Sequence, residues 1–277
     1  EQKKEKKYLL IVVAASCLVA AMFGSRNSLS LTIEGIDQSQ TLNYLQISFA
    51  FALGQLVVGA ISPFAGMIAD KYGSGKTLTV GILLGLLGII LIPYSTTAFT
   101  LSISLGVISS IGLGVAGLPV VLASVNRLIP QNKVGMAFGL VNAGQSLGQL
   151  ILAPLAGFII VNFGWILCIL FLCTVLLLVL PFSFTLRSRT DTKQPSGVQT
   201  KSLSETLRIA FNTPSYIYLV VGFFVCGFHV AFIATHMPGV IQVCGLPPTV
   251  SGWSLGLIGL FNIVGSIFAG WYISKRS

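Results

Sequence analysis

Arg26 is a lone cation in an otherwise uncharged run from residue 8 to residue 33. A guanidinium inside a bilayer costs about 3 kcal/mol on insertion scales, so it turns to a partner or a water-filled cavity. Its planar fork suits a carboxylate or a phosphate, which makes anion binding the chemistry this residue suggests. The alternatives are that Arg26 snorkels to the nearer interface or pairs with Glu34 or Asp37. The two histidines, His229 and His236, lie seven residues apart in a second apolar run, on nearly one helical face. A neutral imidazole exchanges hydrogen bonds, whereas a protonated one adds charge to an anion site or carries a proton. His236 directly precedes Met237 and Pro238, where a solvated interfacial role competes with proton carriage. Asn142, Gln145 and Gln149, spaced three and four apart, form a polar strip along an apolar helix. Such amides either tie helices together or line a wet cavity. Gln55 and Asn262 are weaker cavity candidates.

Two patterns imitate nucleotide sites. Gly73-Ser74-Gly75-Lys76-Thr77 ends like a phosphate-binding loop, but the place of its first glycine holds Asp70 and an apolar run precedes it instead of a strand. Gly112 to Gly117 satisfies G-x-G-x-x-G within an apolar run, where small residues serve close helix packing. The five cysteines (Cys17, Cys168, Cys173, Cys226, Cys244) lack metal-ligand or redox spacing and read as buried, inert thiols. No Ser/His or paired-carboxylate arrangement falls at matched depth, so the expectation is a non-enzyme with no cofactor and no metal.

The elements that must position these residues are membrane helices. Of 277 residues 54% are hydrophobic and only 8% charged, where a soluble domain carries roughly 25%. The charges are clustered, which excludes a soluble enzyme, a disordered chain and a nucleic-acid partner despite the net charge of +9. Eight runs, near residues 8–32, 43–69, 78–95, 99–125, 134–160, 165–184, 215–239 and 250–273, approach the ~20 apolar residues that a spanning helix needs. The expected fold is an all-α integral membrane bundle of eight helices, with membrane lipid as its surroundings. With that topology fifteen of the sixteen cations share one face. The positive-inside rule makes that face cytoplasmic and places both chain ends there. Tyr8, Tyr44, Tyr94, Tyr216, Tyr218, Tyr272, Trp165, Trp253 and Trp271 fall at span ends, where amphipathic rings favour the headgroup layer.

Residues 185–213 are rich in Ser, Thr, Lys and Arg and divide six spans from two. The chain thus reads as a six-helix bundle over 1–184, a cytoplasmic linker over 185–213, and the start of a second bundle over 214–277. Ser202 and Glu205 have capping-box spacing for a short interfacial helix in the linker. At the end of the second run, Gly66-Met67-Ile68-Ala69-Asp70-Lys71-Tyr72-Gly73 resembles the G-x-x-x-D-(R/K)-x-G loop signature of the major facilitator superfamily. An echo follows 204 residues later, Phe64-Ala65-Gly66 with Lys71 against Phe268-Ala269-Gly270 with Lys275. Lys133 to Gly139 and Ala143 to Gly148 resemble the (K/R)-x-x-x-A-x-G…A-G-x-x-x-G signature of monocarboxylate-transporter-like and oxalate/formate-antiporter-like members. The acidic-Gly-aromatic pattern of that group's first span is replaced by Phe23-Gly24-Ser25-Arg26-Asn27.

The resemblance implies a monomeric secondary transporter of the bacterial inner membrane, C-terminally truncated relative to the family's twelve spans. It would move a small organic anion by alternating access, with protons as the coupling ion or with exchange of one anion for another. Spans one and seven would both line the central cavity, and the offset of 204 would set His229 beside Arg26. Gly66, Asp70, Lys71 and Gly73 would form a conformational loop, with Gly66 allowing helix approach, Gly73 the turn, and the partner of Asp70 in the missing spans. The alternatives are an efflux pump for drug-like solutes and a truncated membrane protein that transports nothing.

Overall fold

Lipid offers the backbone no hydrogen-bond partner, so an apolar run crosses it as a helix. A computed structural model describes residues 2–39, 42–187 and 208–276. Among the described residues eight helices are long and apolar enough to cross a membrane. They are span 1 (Tyr8–Asp37), span 2 (Tyr44–Tyr72), span 3 (Ser74–Tyr94), span 4 (Ala98–Leu128), span 5 (Lys133–Phe163), span 6 (Trp165–Thr185), span 7 (Pro214–Val243) and span 8 (Pro248–Ser266). The expected boundaries differ by several residues. Most of the linker, including Ser202 and Glu205, lies outside the described residues.

Local chemistry starts and stops these helices. Asn43 accepts from the Gln46 amide while Gln46 accepts from that of Asn43, capping span 2, and Thr97 and Thr100 do the same for span 4. Gly73 (φ 89°) and Gly164 (φ 85°) turn the chain between spans 2 and 3 and between spans 5 and 6, in a conformation that a Cβ disfavours. Span 1 tightens to a 3₁₀ turn at Ser30–Thr32 before continuing as Ile33–Ser39.

Small residues decide which helices touch. Span 5 lies between spans 1 and 8. A Cβ on Gly144 would come within 2.7 Å of Ser16 Cβ, one on Gly24 within 2.7 Å of the Gly148 carbonyl, and one on Gly148 would strike the Ala20 backbone. On the opposite face Gly252 approaches the Ala153 carbonyl and Gly259 that of Ser146, each at 2.7 Å from the added carbon. Pro154 leaves the helix Gln131–Phe163 uninterrupted and packs on Gly256. Span 4 is held between spans 2 and 3. Gly112 meets Gly85, Gly114 meets Ile61, and Gly54 meets Ser110, so the G-x-G-x-x-G run is a helix-packing surface. Ser74 and Gly75, within the phosphate-loop imitation, dock on the end of span 6, where Ser74 Oγ donates to the Leu186 carbonyl at 2.8 Å.

One expectation changes. Cys168 and Cys173 are buried, but among the described residues Cys226 in span 7 and Cys244 just past it are exposed. Residues 211–230 are all exposed, and only its second half, with Ala234, Thr235 and Pro238 buried, reaches the other helices.

Candidate functional site

Three helices bring a polar cluster together around Arg26. Span 1 carries Arg26 and Asn27, span 2 carries Gln55, and span 4 carries Ser109 and Ser110. In span 4 the chain widens to π-type turns over Ser102–Ser109. Ser110 Oγ donates to the Leu105 carbonyl five residues back, at 3.0 Å, which closes the widened segment. Such turns expose backbone and re-aim side chains, and they recur at functional positions.

The guanidinium of Arg26 donates to Gln55 Oε1. Glu34 and Asp37 lie farther along, past the 3₁₀ turn, so neither the snorkelling nor the acid-paired alternative describes this contact. Arg26 lines two cavities at once. One is also walled by Asn27, Gln55, Ser109, Ser110 and Thr235. The other, the larger of the two, lies toward the Lys/Arg-rich end of the bundle and is walled by Met22, Phe23, Ser62, Pro119 and Gln145. The first cavity thus has the more polar wall. Asn27 Nδ2 and Ser109 Oγ are buried without a hydrogen-bond partner among the described residues, a condition that costs about 1–3 kcal/mol per group until something supplies the bond.

The amides of span 5 separate. Gln145 faces the second cavity with Arg26. Asn142 Nδ2 donates to the Phe138 carbonyl of its own helix at 3.1 Å. Gln149 is buried, with its Cβ 3.3 Å from the carbon that Gly259 of span 8 would carry, which is a helix-joining position. Asn262 is exposed.

The histidines do not join Arg26. His229 is exposed and its Nδ1 lies 2.8 Å from the Val225 carbonyl. The span 7 residues that wall the first cavity are Ala234 and Thr235, and His229 lies roughly 140° round the helix from Ala234. The sequence offset carries no information on rotation about the helix axis. His236 Nδ1 is 3.5 Å from the Tyr44 hydroxyl, and Tyr44 also packs on Gly239, so this histidine belongs to the contact between spans 7 and 2.

At the Lys/Arg-rich end Asp70 forms an ion pair with Arg127 of span 4. Its partner is therefore within the chain and is not its neighbour Lys71, whose Nζ lies 5.3 Å from the centre of the Tyr72 ring. Gly73 makes the turn, and among the described residues nothing approaches within 4 Å of a Cβ placed on Gly66. Asn27, Ser62, Ser109, Ser110 and Thr235 were missed in the sequence. The adjacent Ser109-Ser110 pair within an apolar run was the available signal.

The family model for the Major Facilitator Superfamily matches residues 14–277. A riboflavin transporter, RibZ, of Clostridioides difficile (strain 630) is 28% identical over 162 residues, covering 58% of this chain and 35% of its own. Monocarboxylate transporter 12 of Rattus norvegicus is 23% identical over 264 residues, covering 84% of this chain and 54% of its own. The chain therefore spans between about a third and a little over half of these relatives' length. Among solved structures, a bacterial homologue of the human lysosomal transporter Spinster superposes with a TM-score of 0.73 at 15% identity, over 98% of this chain and 63% of that one. Eight apolar helices, their packing and the match over residues 14–277 agree, and the chain belongs to the major facilitator superfamily.

Proposed function

We propose that this multi-pass membrane protein contributes to a secondary transporter that moves a small organic anion by alternating access, with Arg26 binding the anion. The contact of Arg26 with Gln55 carries this reading. Among the described residues the guanidinium is met by a neutral amide, which leaves its charge for a ligand, and it lies where two cavities meet. A carboxylate accepts two parallel N–H bonds from such a fork and is held more strongly than a neutral acceptor. Asn27 and Ser109 offer further bonds in the same cavity, and Gln145 lies on the other side of Arg26. The similarity to a monocarboxylate transporter agrees with this substrate class. Protons or a second anion would serve as the coupling species. The Asp70–Arg127 pair and the Gly73 turn would belong to the loop that changes during the cycle.

The test is uptake of labelled acetate, lactate, pyruvate and glucuronate into proteoliposomes holding the full-length protein. At least one is taken up, Arg26→Ala loses about 100-fold or more of that uptake, and Arg26→Lys retains part of it, since a point charge replaces a two-bonded fork. Normal uptake by correctly inserted Arg26→Ala would overturn the reading. Efflux of amphipathic solutes is a second reading, favoured by Met22, Phe23, Val58 and Leu118 in the wall of the larger cavity. It predicts export that is indifferent to Arg26→Ala.

A further inference from the structure

We propose that Gln55 sets the affinity of the site for its anion, because its side-chain carbonyl holds the edge of the Arg26 guanidinium that the substrate's carboxylate takes. The inference rests on the reading of Arg26 as the anion-binding residue.

Three observations support it. First, Gln55 Oε1 is the side-chain acceptor that Arg26 meets among the described residues. An amide carbonyl is a neutral acceptor, so a carboxylate that brings both charge and a second oxygen displaces it. Second, the Gln55 residue is exposed while Arg26 is half-buried. A displaced amide finds water at once and leaves no buried polar group unpaired. Third, the backbone under Gln55 is fixed. A Cβ on Gly54 would come within 2.6 Å of Ser110 Oγ, and one on Gly106 within 3.0 Å of the Ala50 carbonyl, so span 2 is pressed against the widened segment of span 4. Gln55 therefore stays within reach of Arg26 and competes with the substrate for one place.

Competition makes a prediction that simple structural support does not. An acid at position 55 satisfies the guanidinium internally, and because Arg holds a neighbouring carboxylate ionised, lowering the pH to mildly acidic values does not release it. An apolar side chain at 55 leaves the guanidinium without a rival partner. The two substitutions should move apparent affinity in opposite directions.

The experiment uses the full-length protein in proteoliposomes, with the member of the carboxylate panel that shows the largest Arg26-dependent uptake as the probe. Gln55→Glu is expected to raise KM about 100-fold, and Gln55→Leu to lower it about threefold, with a smaller kcat because release is slower. Gln55→Met, of similar length and unbranched, repeats the second arm if Leu disturbs packing. Loss of uptake to the same extent in all three variants, or an unchanged KM in each, overturns the proposal. If Arg26→Ala abolishes uptake while Gln55→Glu transports normally, the role of Gln55 fails and the anion reading stands. If no panel member is taken up, or uptake ignores Arg26→Ala, the anion reading fails and the role of Gln55 fails with it.

Discussion

Spans 1 and 7 are equally long, and each is apolar enough to cross a membrane, yet 56% of the most apolar window of span 1 is buried and none of that of span 7. Among the described residues the difference goes with side-chain size. Span 1 presents Ser16, Ala20 and Gly24 at four-residue spacing to Gly144 and Gly148 of span 5, so two backbones come into contact. Span 7 presents Phe223, Phe224, Phe228 and Phe232, all exposed, with Phe224, Phe228 and Phe232 stacked along its own surface. In lipid, apolarity brings a helix into the membrane but gives it no preference for another helix over a lipid tail. Close approach of small residues supplies that preference, and it is this contact that holds Arg26 at a defined place.

The same substitution at a packed and an unpacked glycine tests the comparison. Gly148→Ala drives a methyl into the Ala20 backbone and is expected to destabilise the protein by about 2 kcal/mol, measured by thermal unfolding in detergent. A cost near zero would mean that spans 1 and 5 are less tightly joined than described. Arg127→Ala, which removes a largely exposed ion pair with Asp70, should cost at most about 1 kcal/mol in the same assay. A larger loss would make that pair a main support of the Lys/Arg-rich end. Gly227→Ala meets nothing within 4 Å among the described residues and should stay within about 0.5 kcal/mol of wild type. Clear destabilisation would show span 7 to be packed where it is described as exposed. Smallest of all is His229→Gln, which should leave carboxylate uptake and its pH profile unchanged, since the ring bonds to its own helix. A shifted profile would return His229 to the site.

Eight spans were legible because apolar runs and charge clusters are properties of composition, which survive without knowledge of packing. Arg26 was legible for the same reason, as a charge where none belongs. Gln55 stood low among the candidates because a neutral amide 29 residues away carries no mark of its partner. The pairing of Asp70 with Arg127 also escaped, since it depends on where the ends of spans 2 and 4 meet. His229 shows the limit most clearly: the direction in which a residue points depends on the neighbour that the helix packs against, which an internal echo does not carry.

The most direct test of the central claim is equilibrium binding of the labelled panel carboxylate to purified full-length protein, in wild-type, Arg26→Ala and Arg26→Lys forms, without any transport step. Saturable binding that is lost in Arg26→Ala and kept in weakened form in Arg26→Lys is the predicted result. Binding of equal affinity in wild type and a well-folded Arg26→Ala would contradict the assignment of Arg26 as the anion site.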